Sequence, residues 1–432
     1  MKMDIRHGSF RGGTPLSQNY ETVEDAVNEA ANQAVHACCQ GTFSVGGVML
    51  DNTGYVLNAL HNNVVEAGMT FDPTAHGERQ LIDWYYDQLS QGALLPPPEA
   101  ITIVTSLDPC CMCSGAILGS GFNVVSAAFD TFSGINYTTQ ADFPSLTPAL
   151  RAMAQTTFSY PEVNGDSCFA RPATSAPVAD FFSQTVIDQN TQALCLSIFE
   201  ATLGTVQDTV NHDLPLDELL DPATLAPDDP IVVALKAVYP QALSYKAPSP
   251  GTPDVGLASL LLEAAARDVE QGGKGSSVAF LDAFGNLMLC LPGNQAHSPA
   301  HTPFMLTTRA WAQLRHQLFQ QEGERTLQYL GHPKFGTFVL TLGHDTSAAS
   351  LMDLGAYGST MEEALPAENP YSLQYVVPSI PQSELTAWCQ TLPPLYSQSI
   401  GVYPQQVTDQ ALIDAVTEGL PQALRRSEAS YA

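Results

Sequence analysis

Two short stretches constrain this chain more than anything else in it: Asp72-Pro-Thr-Ala-His-Gly-Glu78 and, further along, Asp108-Pro-Cys-Cys-Met-Cys113. His76, Cys110 and Cys113 are ligand types that zinc favours. Three protein ligands leave a tetrahedral position open to water, whereas a site that only holds a fold closes with four. Glu78, two residues from His76, is a carboxylate that the metal does not need, placed to carry a proton. Such a set forms only if two helix starts converge. Asp72-Pro73-Thr74 is a helix-start signal, and the periodic run through Leu81, Trp84 and Tyr85 predicts a helix beginning near His76. Pro109 opens a second helix that sets Cys110 and Cys113 about one turn apart on one face. The positive ends of both helix dipoles, together with the metal, favour the thiolate forms of the cysteines. Cys111, between them, points away on such a helix and is expected to pack.

These residues resemble the cytidine/deoxycytidylate deaminase superfamily, in particular its guanine deaminase and tRNA adenosine deaminase branch. The likeness runs from about Val23 to Asp130 and rests on Asp72–Glu78 and on Thr105-Ser-Leu-Asp-Pro-Cys-Cys-Met-Cys-Ser-Gly-Ala-Ile-Leu118. It implies zinc on His76, Cys110 and Cys113, Glu78 as the proton shuttle, and hydrolytic loss of ammonia from an aminated ring. It places a nucleobase or nucleoside against Asn62, Asn63, Val45, Gly46, Gly47, Ala75, Asp108 and Pro109. Four departures stand out. Gly77 replaces Ala, Asp108 replaces Glu, Ser44-Val45-Gly46-Gly47 replaces a Pro-x-Gly-Ala strand, and the loop from Asn62 to His76 is longer. None touches the zinc chemistry. The last two bear on which substrate is held.

Charge narrows the substrate further. The 432 residues carry 16 basic and 44 acidic side chains, a net charge of −28. A nucleic-acid binder needs a basic surface, and this chain has little from which to build one. The balance favours a small substrate, guanine-type purines first and cytosine-type pyrimidines next, over a tRNA whose adenosine is edited to inosine. A non-catalytic sensor that binds a base is the remaining class. No apolar run is long enough for a membrane helix. The nine cysteines lack a disulfide-framework spacing, so a reducing, cytoplasmic setting is expected. The adjacent Cys38 and Cys39 are expected to be buried thiols.

In chain order, residues 1–20 read as a loose arm. Thr22 to Cys39 reads as a helix, and Phe43–Leu50 and Tyr55–Leu60 as a hairpin about Asp51-Asn-Thr-Gly54. The His76 helix comes next, then a strand from Ile101 to Leu107, the Cys110 helix and a strand from Val124 to Phe129. This order predicts a three-layer α/β/α domain over residues 1–170. Residues 171–252 read as a helical linker, with helices expected at Ala179–Leu203 and Ile231–Val238. The Lys246-Ala-Pro-Ser-Pro-Gly-Thr-Pro253 run marks a boundary.

Residues 253–432 repeat the opening pattern. Asp282 and Gly285 match Asp51 and Gly54, and Ser298-Pro-Ala-His301 parallels the approach to His76. Thr337–Leu342 matches the strand before Cys110. Pro303 falls at the place of Glu78, and no cysteine falls near Asp345–Ala349. A tandem duplication is expected, its second copy lacking zinc ligands and packing on the first as an internal partner within a monomer or a further homodimer. His301, His344 and Asp345 are expected to be ordinary polar residues and not a second metal site.

Overall fold

The computed structural model describes residues 18–366 and 372–420, so most of the expected N-terminal arm lies outside the described residues. The first unit begins with α1 (Val23–Gln40), capped by the Thr22 hydroxyl and ended by Gly41 at φ +82°. Strands β1 (Gly46–Leu50) and β2 (Val56–His61) form the expected hairpin, with Gly54 supplying the positive φ of its turn. Then come α2 (Gly77–Ser90), β3 (Thr102–Thr105), α3 (Cys111–Ser120), β4 (Asn123–Ser126), β5 (Phe158–Tyr160) and β6 (Thr174–Ser175). The sheet runs β2-β1-β3-β4-β5-β6, with β3, β4 and β5 parallel. Alternation along the strands divides the core. Val48, Leu50, Val104 and Val125 face α1, while Met49, Ile103 and Val124 face α2 and α3. The mixed three-layer α/β/α arrangement is the one the order of elements predicts.

The middle of the chain forms no body of its own. Helix α4 (Gln189–Asn211) joins the core of α1 through Cys195, Phe199, Val206 and Val210. It starts later than expected: Val186–Asp188 is a short strand against Glu162–Asn164. Helix α5 (Pro230–Val238) packs Ile231 and Leu235 into the larger core shared with the second unit. The Lys246–Pro253 run is likewise attached to the second unit, since the Ala247 N–H donates to the Gly285 carbonyl.

The second unit contains α6 (Ala258–Glu270), β7 (Ser277–Leu281), β8 (Leu287–Pro292), α7 (Pro303–Glu322), β9 (Thr337–Leu342), α8 (Ala348–Met361), β10 (Leu373–Val377) and β11 (Gln405–Gln406). Its sheet runs β8-β7-β9-β10-β11, with the same strand senses as the first five strands of the other sheet. Even an irregularity recurs. The hairpin register shifts between Met49 and Leu50 in one and between Phe280 and Leu281 in the other.

The units meet along α3 and α8, which explains why both helices are apolar almost all round. Their backbones touch at glycines. A Cβ on Gly115 would lie 2.6 Å from the Met352 nitrogen, and one on Gly355 would lie 2.1 Å from the Met112 nitrogen. The reciprocity of these contacts is that of a two-fold axis. A buried charge cluster lies nearby. Arg309 of α7 reaches Asp83 at 2.9 Å and Asp72 at 3.4 Å, Arg79 pairs with the same two carboxylates, and His301 Nε2 is 3.3 Å from Asp83. Burial opposes the charge on Asp83, yet Arg79 and Arg309 hold its carboxyl well below the usual range.

Candidate metal centre and active site

The strand-to-helix junctions deliver the functional side chains. His76 is the N-cap of α2 and Cys110 the N-cap of α3, with extended backbone at both. The ligand-bearing groups of His76, Cys110 and Cys113 all lie within 4.8 Å of one another, and Cys110 Sγ is 3.5 Å from His76 Nδ1. Tetrahedral zinc, with Zn–S of about 2.3 Å and Zn–N of about 2.0 Å, separates sulfur and nitrogen donors by roughly 3.5 Å. Among the described residues this is the one such cluster of metal-ligating groups. The donor set and its spacing fit zinc.

Glu78 stands beside the cluster. Its Oε1 accepts from Thr105 Oγ1 at 3.1 Å, and its Oε2 from the Cys113 thiol at 3.5 Å. Burial pushes its carboxyl upward, and the Cys110 sulfur adds to the shift. A cleft enclosing about 530 Å³ of open space opens over these groups. Val45, Asn62, Asp108, Asp130 and Phe132 line it from the first unit, Phe199, Leu203 and Gln207 from α4, and Ser359, Glu362, Leu395 and Tyr396 from the second. Burial, with the Cys110 sulfur nearby, pushes the Tyr396 hydroxyl well above its usual range. Leu395 donates its backbone N–H to Phe132 at 3.0 Å, tying the second unit to the loop beside the metal ligands. Burial pushes the Glu362 carboxyl up to about 7.

Residues 20–128 match the family model described as the cytidine and deoxycytidylate deaminase zinc-binding region. The first unit is thus similar to a deaminase zinc-binding region. The match contains His76, Glu78, Cys110 and Cys113, so the zinc that fits the geometry is also the metal of the matched region. No curated protein matches the chain. Among the solved structures that resemble parts of it are the following two. One, from work on A-to-I editing by tRNA:A34 deaminases, is 23% identical over 26% of this chain and 80% of its own, with a TM-score of 0.21. The other, a guanine deaminase from Nitrosomonas europaea, is 16% identical over 45% of this chain and 94% of its own, with a TM-score of 0.26.

Within this deaminase region the expected substrate contacts divide. Val45, Asn62 and Asp108 line the cleft. Asn62 Oδ1 accepts from Thr42 Oγ1 at 2.6 Å and from the Val64 N–H at 2.9 Å. A backbone N–H must meet oxygen, so the amide is fixed and its NH2 is the group left for a ligand. Asp108 is committed to the fold, accepting from Tyr160 at 2.6 Å and from the Asn136 N–H at 2.8 Å. Burial pushes its carboxyl up to about 8.

Gly46, Gly47, Asn63, Ala75 and Pro109 are not among the lining residues. Gly46 serves helix packing instead, since a Cβ there would lie 2.4 Å from Gln33 Cβ. Gly47 similarly makes room for Leu81. Asn63 bonds Gln40 and the Ala75 carbonyl, while the Pro109 carbonyl holds Ile135 and Ser114. The long Asn62–His76 loop folds into a small hairpin, Val65–Glu66 on Met69–Thr70, beneath His316 of α7. Cys111 is fully buried, as its helix position implies. The expectation for the Cys38 pair fails, because α1 ends near solvent and leaves Cys39 exposed.

Sequence reasoning missed the far wall of the cleft. Nothing local marks Glu362, Tyr396 or Gln207, which reach the site only through packing between units.

Proposed function

We propose that the chain is a zinc-dependent hydrolytic deaminase that releases ammonia from a nucleobase or nucleoside, guanine-type rings first and cytosine-type next. The observation that carries this reading is Glu78, a buried carboxylate spared from the ligand set and set against it inside a cleft that also holds the Asn62 amide. Zinc, when bound, supplies Lewis-acid activation of water near neutral pH. Glu78 takes one proton from water as its oxygen attacks the amine-bearing ring carbon and passes it to the ring nitrogen, then takes the second proton from the new hydroxyl as that becomes a carbonyl and delivers it to the departing amine. Thr105 orients the carboxylate, the Asn62 NH2 holds a carbonyl of the ring, and Phe43, Leu107 and Phe199 keep the cleft walls apolar.

The second unit is, on this reading, a metal-free copy. Measured from each helix start, Thr302 stands at the place of His76 and Phe304 at that of Glu78. This places the glutamate's counterpart one residue beyond Pro303, because the helix start is Thr302 and not His301. Measured back from the crossing glycines, Asp353 stands at the place of Cys113. Thr302 hydrogen bonds to Asp353 where the metal ligands would meet, and Phe304 packs on Phe338 with ring centroids 4.9 Å apart.

Ammonia release by the zinc-loaded protein tests the proposal across guanine, cytosine, adenine, their nucleosides and a tRNA transcript. Turnover of a base or nucleoside is expected, with Glu78→Ala lowering it by a factor of about 100 to 10,000. Turnover of tRNA alone would favour the editing reading, and binding without ammonia release would favour a sensor.

A further inference from the structure

Glu362 is the residue at which the second unit departs most from what its own helix needs. It ends α8 at φ +52°, a left-handed conformation that strains a residue bearing a side chain, whereas the end of α3 uses Gly121 at φ +82°. It is also a carboxylate only 8% exposed. Strain combined with a buried charge, at a position that selects glycine, points to function and away from helix stability.

Its surroundings indicate which function. Glu362 lines the same cleft as His76, Glu78 and Cys110. Gln207 of α4, another lining residue, donates to its Oε2 at 3.2 Å and fixes its direction, while Oε1 takes no hydrogen bond among the described residues. Across the cleft the Asn62 NH2 is a donor. The cleft is lined by Glu78, Asp108, Asp130 and Glu362 and by no lysine or arginine. Such a wall repels phosphate and attracts N–H groups.

We propose that Glu362 is the substrate-recognition carboxylate of the site, accepting hydrogen bonds from ring and exocyclic N–H groups of an unphosphorylated, aminated oxo-heterocycle. The second unit thereby completes the binding pocket of the first. The proposal rests on the deaminase reading for its chemistry, but binding alone can judge it.

The experiment uses the zinc-loaded full chain with Glu362→Gln and Glu362→Gly. It measures Kd for guanine, cytosine and their nucleosides in the Glu78→Ala background, KM and kcat in the parent background, and thermal midpoints for all. Losing a charge-assisted hydrogen bond should raise Kd and KM by about tenfold or more. The loss should be greatest for rings with adjacent N–H donors, with zinc content unchanged. Glu362→Gly should lose affinity yet melt higher, because it relieves the strained cap; a structural role for Glu362 would lower its midpoint. Nucleoside monophosphates should bind more weakly than nucleosides. Binding by Glu362→Gln within about twofold of its parent, or a preference for monophosphates, overturns the proposal. Binding without ammonia release removes the deaminase reading and leaves Glu362 to be judged on Kd. Absence of both from the zinc-loaded parent overturns both.

Discussion

The two units of this chain share a strand order, a hairpin irregularity and a crossing glycine, yet one holds a cluster of metal-ligating side chains and the other a plug of aromatic rings. In the first, His76, Cys113 and Glu78 converge under Thr105. In the second, Thr302 bonds Asp353, and Phe304 packs between Phe338 and Tyr357. The comparison shows that the scaffold does not require the chemistry. On the proposed correspondence, a hydroxyl and a carboxyl stand in the second unit where His76 and Cys113 stand in the first, and a phenyl ring where Glu78 stands, while strand order and register are kept. The second unit instead acts at a distance, sending Glu362 and Tyr396 into the first unit's cleft.

Transplanting residues between the units gives the sharpest test of that contrast. Glu78→Phe, which installs the second unit's residue, should lower turnover by a factor of about 100 to 10,000 while zinc stays bound, read by ammonia release and metal analysis. Next in size is the shared charge cluster. Arg309→Ala leaves Asp72 and Asp83 buried with Arg79 and His301, and should cost about 3–5 kcal/mol in urea unfolding. If the units were independent, this loss would appear in one unfolding step and spare the other. Gly355→Ala sets a methyl group against the Met112 backbone and should cost about 1–3 kcal/mol. Gly115→Ala should behave alike if the contact is truly reciprocal.

A pH slope tests the buried carboxyl of the second unit. Burial pushes the Asp353 carboxyl up to about 8, above its unfolded value of about 3.9. The folded state then binds the extra proton, so this contribution is full below about pH 4 and is lost as pH rises through about 8. Asp353→Asn should flatten that part of the stability profile, measured by urea unfolding from pH 4 to 8.

Much of this contrast was legible in the sequence wherever local chemistry decides structure. Thr22, Pro109 and Gly54 set helix and turn positions in ways that neighbouring residues do not override. The ligand spacing likewise comes from one turn of helix. Two readings went astray for physical reasons. The apolar residues Phe181, Phe182 and Ile187 continue the periodicity of α4 but lie before its start, where Val186–Asp188 pairs as a strand. The Cys38–Cys39 pair continues the apolar run of α1, but the helix ends near solvent. Glu362 was beyond reach, since its role depends on a contact between units that no local pattern encodes.

The most direct test of the central claim, that only the first unit holds metal, is zinc content per chain in the parent, in Cys113→Ala and in Asp353→Ala. The account predicts one zinc per chain in the parent, one in Asp353→Ala and none in Cys113→Ala, because only His76, Cys110 and Cys113 bring three ligands together among the described residues. Two zinc ions per parent chain, or one retained in Cys113→Ala, would contradict it.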